Sequence, residues 1–196
     1  MKKNQNDNFD TNTDGVEQER RINVKSVCKE ILIYVMIFTL CLFFIPRYVC
    51  CKYTVQGISM QNTLQEKEQI IGEKISYRFT GPKRFDVVVV QPFEEEKDNY
   101  YVKRVIGLPG ETIEIKGKNV YINGELLDDS KYIREEMLDS TYLEATKLGE
   151  DEYFVMGDNR NYSSDSRESE IGPIPLDRMI AKAFFIVWPL NKVSPI

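Results

Sequence analysis

The chain has 196 residues, 42% of them hydrophobic, which suits one compact domain with appendages. Its formal net charge of −5 argues against a nucleic-acid partner, whose phosphates attract basic surfaces. It contains no histidine, which excludes Ser-His-Asp and Cys-His catalysis and, with no CxxC metal spacing among its four cysteines, leaves a zinc ion nothing but carboxylates.

The first residues are polar and Asn-rich, and residues 1–26 read as a disordered tail. Ile31–Ile45 is then uncharged throughout, without the polar stripe of a soluble core helix. With Lys29 and Arg47 snorkelling, an apolar segment over 27–49 is long enough to cross a bilayer. Pro46-Arg47-Tyr48-Val49 offers no small-x-small cleavage site, so the segment is expected to stay as an anchor. Arg20, Arg21, Lys25 and Lys29 precede it, and the positive-inside rule puts the N-terminus in the cytoplasm and residues 50–196 outside. Cys28, Cys41, Cys50 and Cys51 follow no CxxC spacing and form no disulfide framework; they read as packing residues, with Tyr48–Cys51 extending the span.

The exported part is predicted to be mainly β. Asp86–Val90 is an apolar β-branched run suited to a doubly buried strand, and Tyr100–Ile106 is a second candidate. Thr112–Lys116 alternates cleanly, 117–119 turns it into Val120–Ile122, and Asn123-Gly124 signals a hairpin before Glu125–Leu127. Glu152–Met156 and Ile180–Trp188 complete the set. Between Asp128 and Asp151 the sequence is charged and irregular, and it reads as a surface loop with one short helix near Ile133–Leu138.

Ser59, in Gly57-Ile-Ser-Met-Gln-Asn-Thr-Leu64, lies just beyond the anchor. Without histidine, a serine nucleophile needs another base, and a neutral lysine amine can serve. An ordinary lysine titrates near 10.4, so a base working near neutral pH must be desolvated among apolar groups. Two lysines after the anchor have apolar neighbours: Lys103, in Tyr-Tyr-Val-Lys-Arg-Val-Ile, and Lys182, in Ala-Lys-Ala. An alternating strand usually sends such a lysine to solvent, so pattern alone does not make either one catalytic. Gly157–Arg167 is a turn-rich loop whose two carboxylates, two arginines and three serines can form an ordered network, with Asp165 and Arg167 paired in bidentate fashion.

Taken together these stretches resemble the bacterial type I signal peptidases of the compact, single-span kind. The nucleophile motif of that family, Ser-Met-x-Pro-Thr-Leu, is matched by Ser59-Met-Gln-Asn-Thr-Leu64. The lysine motif is matched by Tyr101–Glu111, and the Gly-Asp-Asn-Arg…Ser-x-Asp-Ser-Arg motif by Gly157–Arg167. The resemblance implies a signal-peptidase-like β-fold catalytic domain on one N-terminal transmembrane helix. It makes Ser59 the nucleophile and Lys103 the general base. Ser163 would help to orient the lysine, Asp165 and Arg167 would form a structural ion pair joined by Arg104, and Asp158 and Arg160 would belong to the same scaffold. Val55, Met60, Leu64, Tyr101 and Val102 would line small substrate pockets, and the Ser59 N–H would serve an oxyanion hole. No cofactor or metal is implied. The implied partners are preproteins carrying signal peptides, membrane lipid and the export machinery. Three residues depart from the family pattern: Asn62 stands for proline, Phe85 for glycine, and Asn161-Tyr162 alters the last motif.

Overall fold

The computed structural model describes residues 24–44, 48–95, 99–138 and 141–196. The expected tail falls almost wholly outside them. Contacts divide the chain into two units, Met1–Thr39 and Leu40–Ile196.

Helix α1 runs over Val24–Phe44. Its 21 residues rise about 31 Å, the thickness of a bilayer's hydrocarbon core. Among the described residues it is the one helix long and apolar enough to cross a membrane, and no side chain from Lys25 to Phe44 is buried. The segment expected to extend it is different in kind. Cys50 and Cys51 begin strand β1 (Cys50–Thr54) and pair with Glu73 and Gly72, so the hydrogen bonds of these residues go to a sheet.

The rest is β structure in two antiparallel sheets. The larger contains β1, β2 (Gln69–Glu73), β3 (Val87–Val90), β4 (Tyr101–Gly107), β9 (Glu152–Met156), β10 (Ile174–Pro175), β11 (Met179–Trp188) and β12 (Ser194–Pro195). Its order is β1-β2-β11-β3-β4-β9-β10, with β12 on β11. The smaller contains β5 (Thr112–Lys116), β6 (Asn119–Ile122), β7 (Glu125–Leu126) and β8 (Tyr142–Lys147), in the order β7-β6-β5-β8.

β3 is central because it is apolar on both faces, and all four valines are buried. Val87 and Val89 join one cluster with Met60, Leu64, Ile70 and Ala181. Val88 and Val90 join another with Tyr77, Val105 and Tyr153. A third cluster ties the sheets together: Ile106, Phe154 and Met156 of the larger pack on Ile113, Ile115 and Val120 of the smaller. β4 therefore has apolar neighbours on every side, and this is how a sheet can bury Lys103 and Arg104 in mid-strand.

The region expected to be a loop with a helix holds strand β8, and Ile133–Leu138 is not helical. β8 carries little apolar signal because it is an edge strand, pairing β5 on one side.

Candidate active site

Three segments converge at the start of β4. The first is the turn after β1. Gly57 takes φ +80, a region open to glycine, and the chain then coils through Thr63 N→Met60 O (2.8 Å) and Leu64 N→Met60 O (2.7 Å). Met60 and Leu64 sink into the core of the larger sheet, while Ser59 stays at the surface of the turn and Thr63 turns toward Arg104. The second segment is β4 itself. The third is Gly157–Arg167, whose Asn159 binds the turn twice: its N–H donates to Ser59 O (2.9 Å) and its Nδ2 to Ile58 O (3.1 Å).

Lys103 Nζ lies 2.9 Å from Ser59 Oγ, in hydrogen-bond contact. Lys103 is 4% exposed, and among the described residues no carboxylate forms an ion pair with it. Burial pushes its ammonium down to about 8, Asp165 pulls the other way, and Arg167 adds to the depression. The Tyr101 ring lies 5.3 Å from the amine. The other sequence candidate is in a different state: Lys182 Nζ donates to Asp86 Oδ1 at 2.7 Å and is a third exposed.

The charged residues around the pair form two separate ion pairs. Asp165 accepts from Arg167 Nε (2.8 Å) and NH2 (2.9 Å), as the spacing suggested, and also from the Gly157 N–H (2.9 Å). Arg104 does not join them. Its Nε and NH2 donate to Asp158 at 2.8 and 2.7 Å, because β4 alternation sends it to the face opposite Lys103, where Asp158 lies. It also donates to Thr63 Oγ1 (2.8 Å) and Phe85 O (2.8 Å). Arg160 forms a third link, to Asp129 at 2.5 Å. The Ser163 hydroxyl is buried and has no hydrogen-bond partner among the described residues. It rests over Gly157, where an added Cβ would lie 2.3 Å from Ser163 Oγ and 2.6 Å from Ser59 O.

Val55, Ser59, Met60, Tyr101, Val102 and Lys103 line a groove of about 790 Å³. Leu64, expected among the lining residues, is fully buried in the core instead, one helical turn below Met60. Asn159, Thr63 and Tyr132 hold the site together and were not singled out from the sequence. Thr63 and Asn159 stand inside the recognised motifs, whereas Tyr132 carries no sequence signal.

A serine hydroxyl thus lies against a buried lysine in a β domain whose sequence follows an apolar helix. The family model "Signal peptidase, peptidase S26" matches residues 27–188, and the chain belongs to that family. It is 38% identical to signal peptidase I of Leptolyngbya laminosa over 156 residues, 76% of this chain and 74% of the relative. It is 35% identical to signal peptidase I P of Bacillus subtilis subsp. natto over 186 residues, 90% and 96% of the two chains. Signal peptidase IB of Staphylococcus aureus is 30% identical over 184 residues, 86% and 94%. A solved signal peptidase I from Enterococcus faecalis V583 shares 32% identity over 52% of this chain and 95% of its own, with a TM-score of 0.39. Membership makes the protein a serine peptidase that removes signal peptides, and the apolar helix fits a membrane-anchored enzyme.

Proposed function

We propose that the enzyme cleaves exported preproteins through a Ser59–Lys103 dyad and an acyl-enzyme. The observation that carries this reading is the 2.9 Å contact between Ser59 Oγ and an amine that burial brings down to about 8. Near neutral pH a useful fraction of that amine is uncharged. Ser59 Oγ attacks the scissile carbonyl while its proton passes to Lys103 Nζ. The C–N bond breaks, Lys103 returns the proton to the departing amine, and an ester joins Ser59 to the signal peptide. Lys103 then takes a proton from water as that water attacks the ester, which frees the signal peptide's carboxylate and restores the Ser59 hydroxyl.

The Ser59 N–H would donate to the oxyanion. Ser163 would steady the amine, a role that its buried, unpartnered hydroxyl leaves open. The Asp165–Arg167 and Arg104–Asp158 pairs would fix the loop and the strand. The substrate would lie extended along the groove, its backbone pairing with a strand edge. The apolar walls from Val55, Met60, Tyr101 and Val102 favour small side chains at the first and third positions before the cut. The anchor would keep the N-terminus in the cytoplasm and the site at the outer face, beside lipid and the export machinery, where cleavage points emerge.

The test is cleavage of a purified preprotein by the full chain in detergent. Loss of cleavage in Ser59→Ala and in Lys103→Ala is expected, and retained cleavage in either would remove that residue from the reaction.

A further inference from the structure

We infer that Tyr132, between β7 and β8, is a positioning residue for Ser59: its ring and its carbonyl hold the nucleophile turn against Arg104 and Asp158. The inference rests on the Ser59–Lys103 reading.

The segment 129–138 is neither helix nor strand, yet it runs from the smaller sheet to all three segments of the site. The Tyr132 carbonyl accepts from Asn62 Nδ2 at 2.8 Å. The Tyr132 ring covers the Arg104 guanidinium, with 4.1 Å between Cζ and the ring centroid. The N–H groups of Arg104 already serve Asp158, Thr63 and Phe85, so its face is the surface left to pack, and an aromatic ring suits it. Two residues on, the Arg134 N–H donates to Asp158 O (3.1 Å) and its guanidinium to Gln61 Oε1. One short strap thus grips Gln61 and Asn62 just after the nucleophile, Arg104 beside the base, and Asp158 at the head of the third segment.

Phe85 points the same way. It takes φ +69, where a side chain is strained, and its ring stacks on Tyr132 at 4.8 Å while its carbonyl accepts from Arg104. The strain is held in place by the aromatic and guanidinium stack that Tyr132 completes. Asn62–Tyr132 and Arg134–Gln61 are exposed bonds, weak singly because water competes. The ring over a guanidinium that is 4% exposed is the stronger part of the grip.

Tyr132→Ala should release the turn, move Ser59 Oγ off Lys103 Nζ and admit water. The charged groups acting on Lys103 are Asp165, Arg167, Glu168 and Asp158, with the Tyr101 ring and the Ser59 hydroxyl beside it. Hydration would therefore move the acidic limb of kcat/KM upward from about 8. The experiment is the pH profile of preprotein cleavage by the full-length enzyme. Tyr132→Ala is expected to lose kcat about tenfold or more with little change in KM, and to show the raised limb. Tyr132→Phe, which keeps the ring, should restore both. Unchanged kcat and limb in Tyr132→Ala would overturn the inference. So would a loss of kcat with an unmoved limb that follows the unfolded fraction. Should Tyr132→Ala not fold, Tyr132→Leu, which keeps apolar bulk but no ring over Arg104, takes its place: a raised limb supports the grip and a wild-type profile overturns it. Ser59→Ala measured alongside separates the two claims, since cleavage by that variant would sink the dyad rather than the strap.

Discussion

Lys103 and Lys182 lie on strands of one sheet, each between apolar residues in the sequence, and they end in different surroundings. Lys182 reaches Asp86 at 2.7 Å at a partly exposed site. Lys103 is buried, has a serine for its close partner, and is brought down to about 8. The nearby carboxylates are taken up elsewhere, Asp165 by Arg167 and Asp158 by Arg104. Under the proposed mechanism Lys103 serves as the base because it is buried while the charges around it pair with one another, a condition that the residues beside it in the chain do not reveal.

The largest test of this contrast is removal of the reacting groups. Ser59→Ala and Lys103→Ala should each lower kcat by at least about a thousandfold, while Lys182→Met should stay within about threefold of wild type in the same preprotein assay. Next comes the ground between the segments. In Gly157→Ala the new Cβ would meet Ser163 Oγ at 2.3 Å and Ser59 O at 2.6 Å, so the turn and the loop must part. Cleavage about a hundredfold lower with secondary structure kept, by circular dichroism, is the expected result.

The third test is of stability, and the two lysines should differ in sign. Folding lowers the Lys103 pKa from 10.5 to about 8, which costs about 3 kcal/mol at neutral pH. Between those values the unfolded chain binds the extra proton, so wild-type stability should rise as pH climbs from 8 to 10.5 and be lowest below 8. Lys103→Met should therefore be more stable than wild type at pH 7 by up to that amount, with no slope from this residue, in urea denaturation. Lys182→Met gives up an ion pair that is partly exposed and should cost less than about 1 kcal/mol.

Much of the domain was legible because its strands obey simple rules. The doubly buried β3, the alternation of β5 and the Asn123-Gly124 turn each carry a local signal, and they appear close to where the pattern placed them. β1, β2 and β8 were missed for separate reasons. β1 abuts the anchor, whose apolar run hid the change from helix to strand. β2 carries only Ile70-Ile71 as an apolar signal, and β8 pairs on one side and buries little. At the site, the motifs that resemble signal peptidases contain Ser59, Lys103, Asp158 and Asp165, but motifs do not say which arginine takes which carboxylate. Arg104 goes to Asp158 because successive residues of a strand face opposite ways. Leu64 shares the nucleophile motif and still belongs to the core, since the coil after Ser59 turns it inward. Tyr132 was out of reach, lying 70 residues from Asn62 in a stretch without periodicity.

The most direct measurement is kcat/KM for a purified preprotein as a function of pH, for wild type and Lys182→Met side by side. A neutral Lys103 predicts, for both proteins, a rise with pH through a single limb near 8. A wild-type limb near the ordinary lysine value of about 10.4, or a limb that moves in Lys182→Met, would contradict the assignment of the base to Lys103.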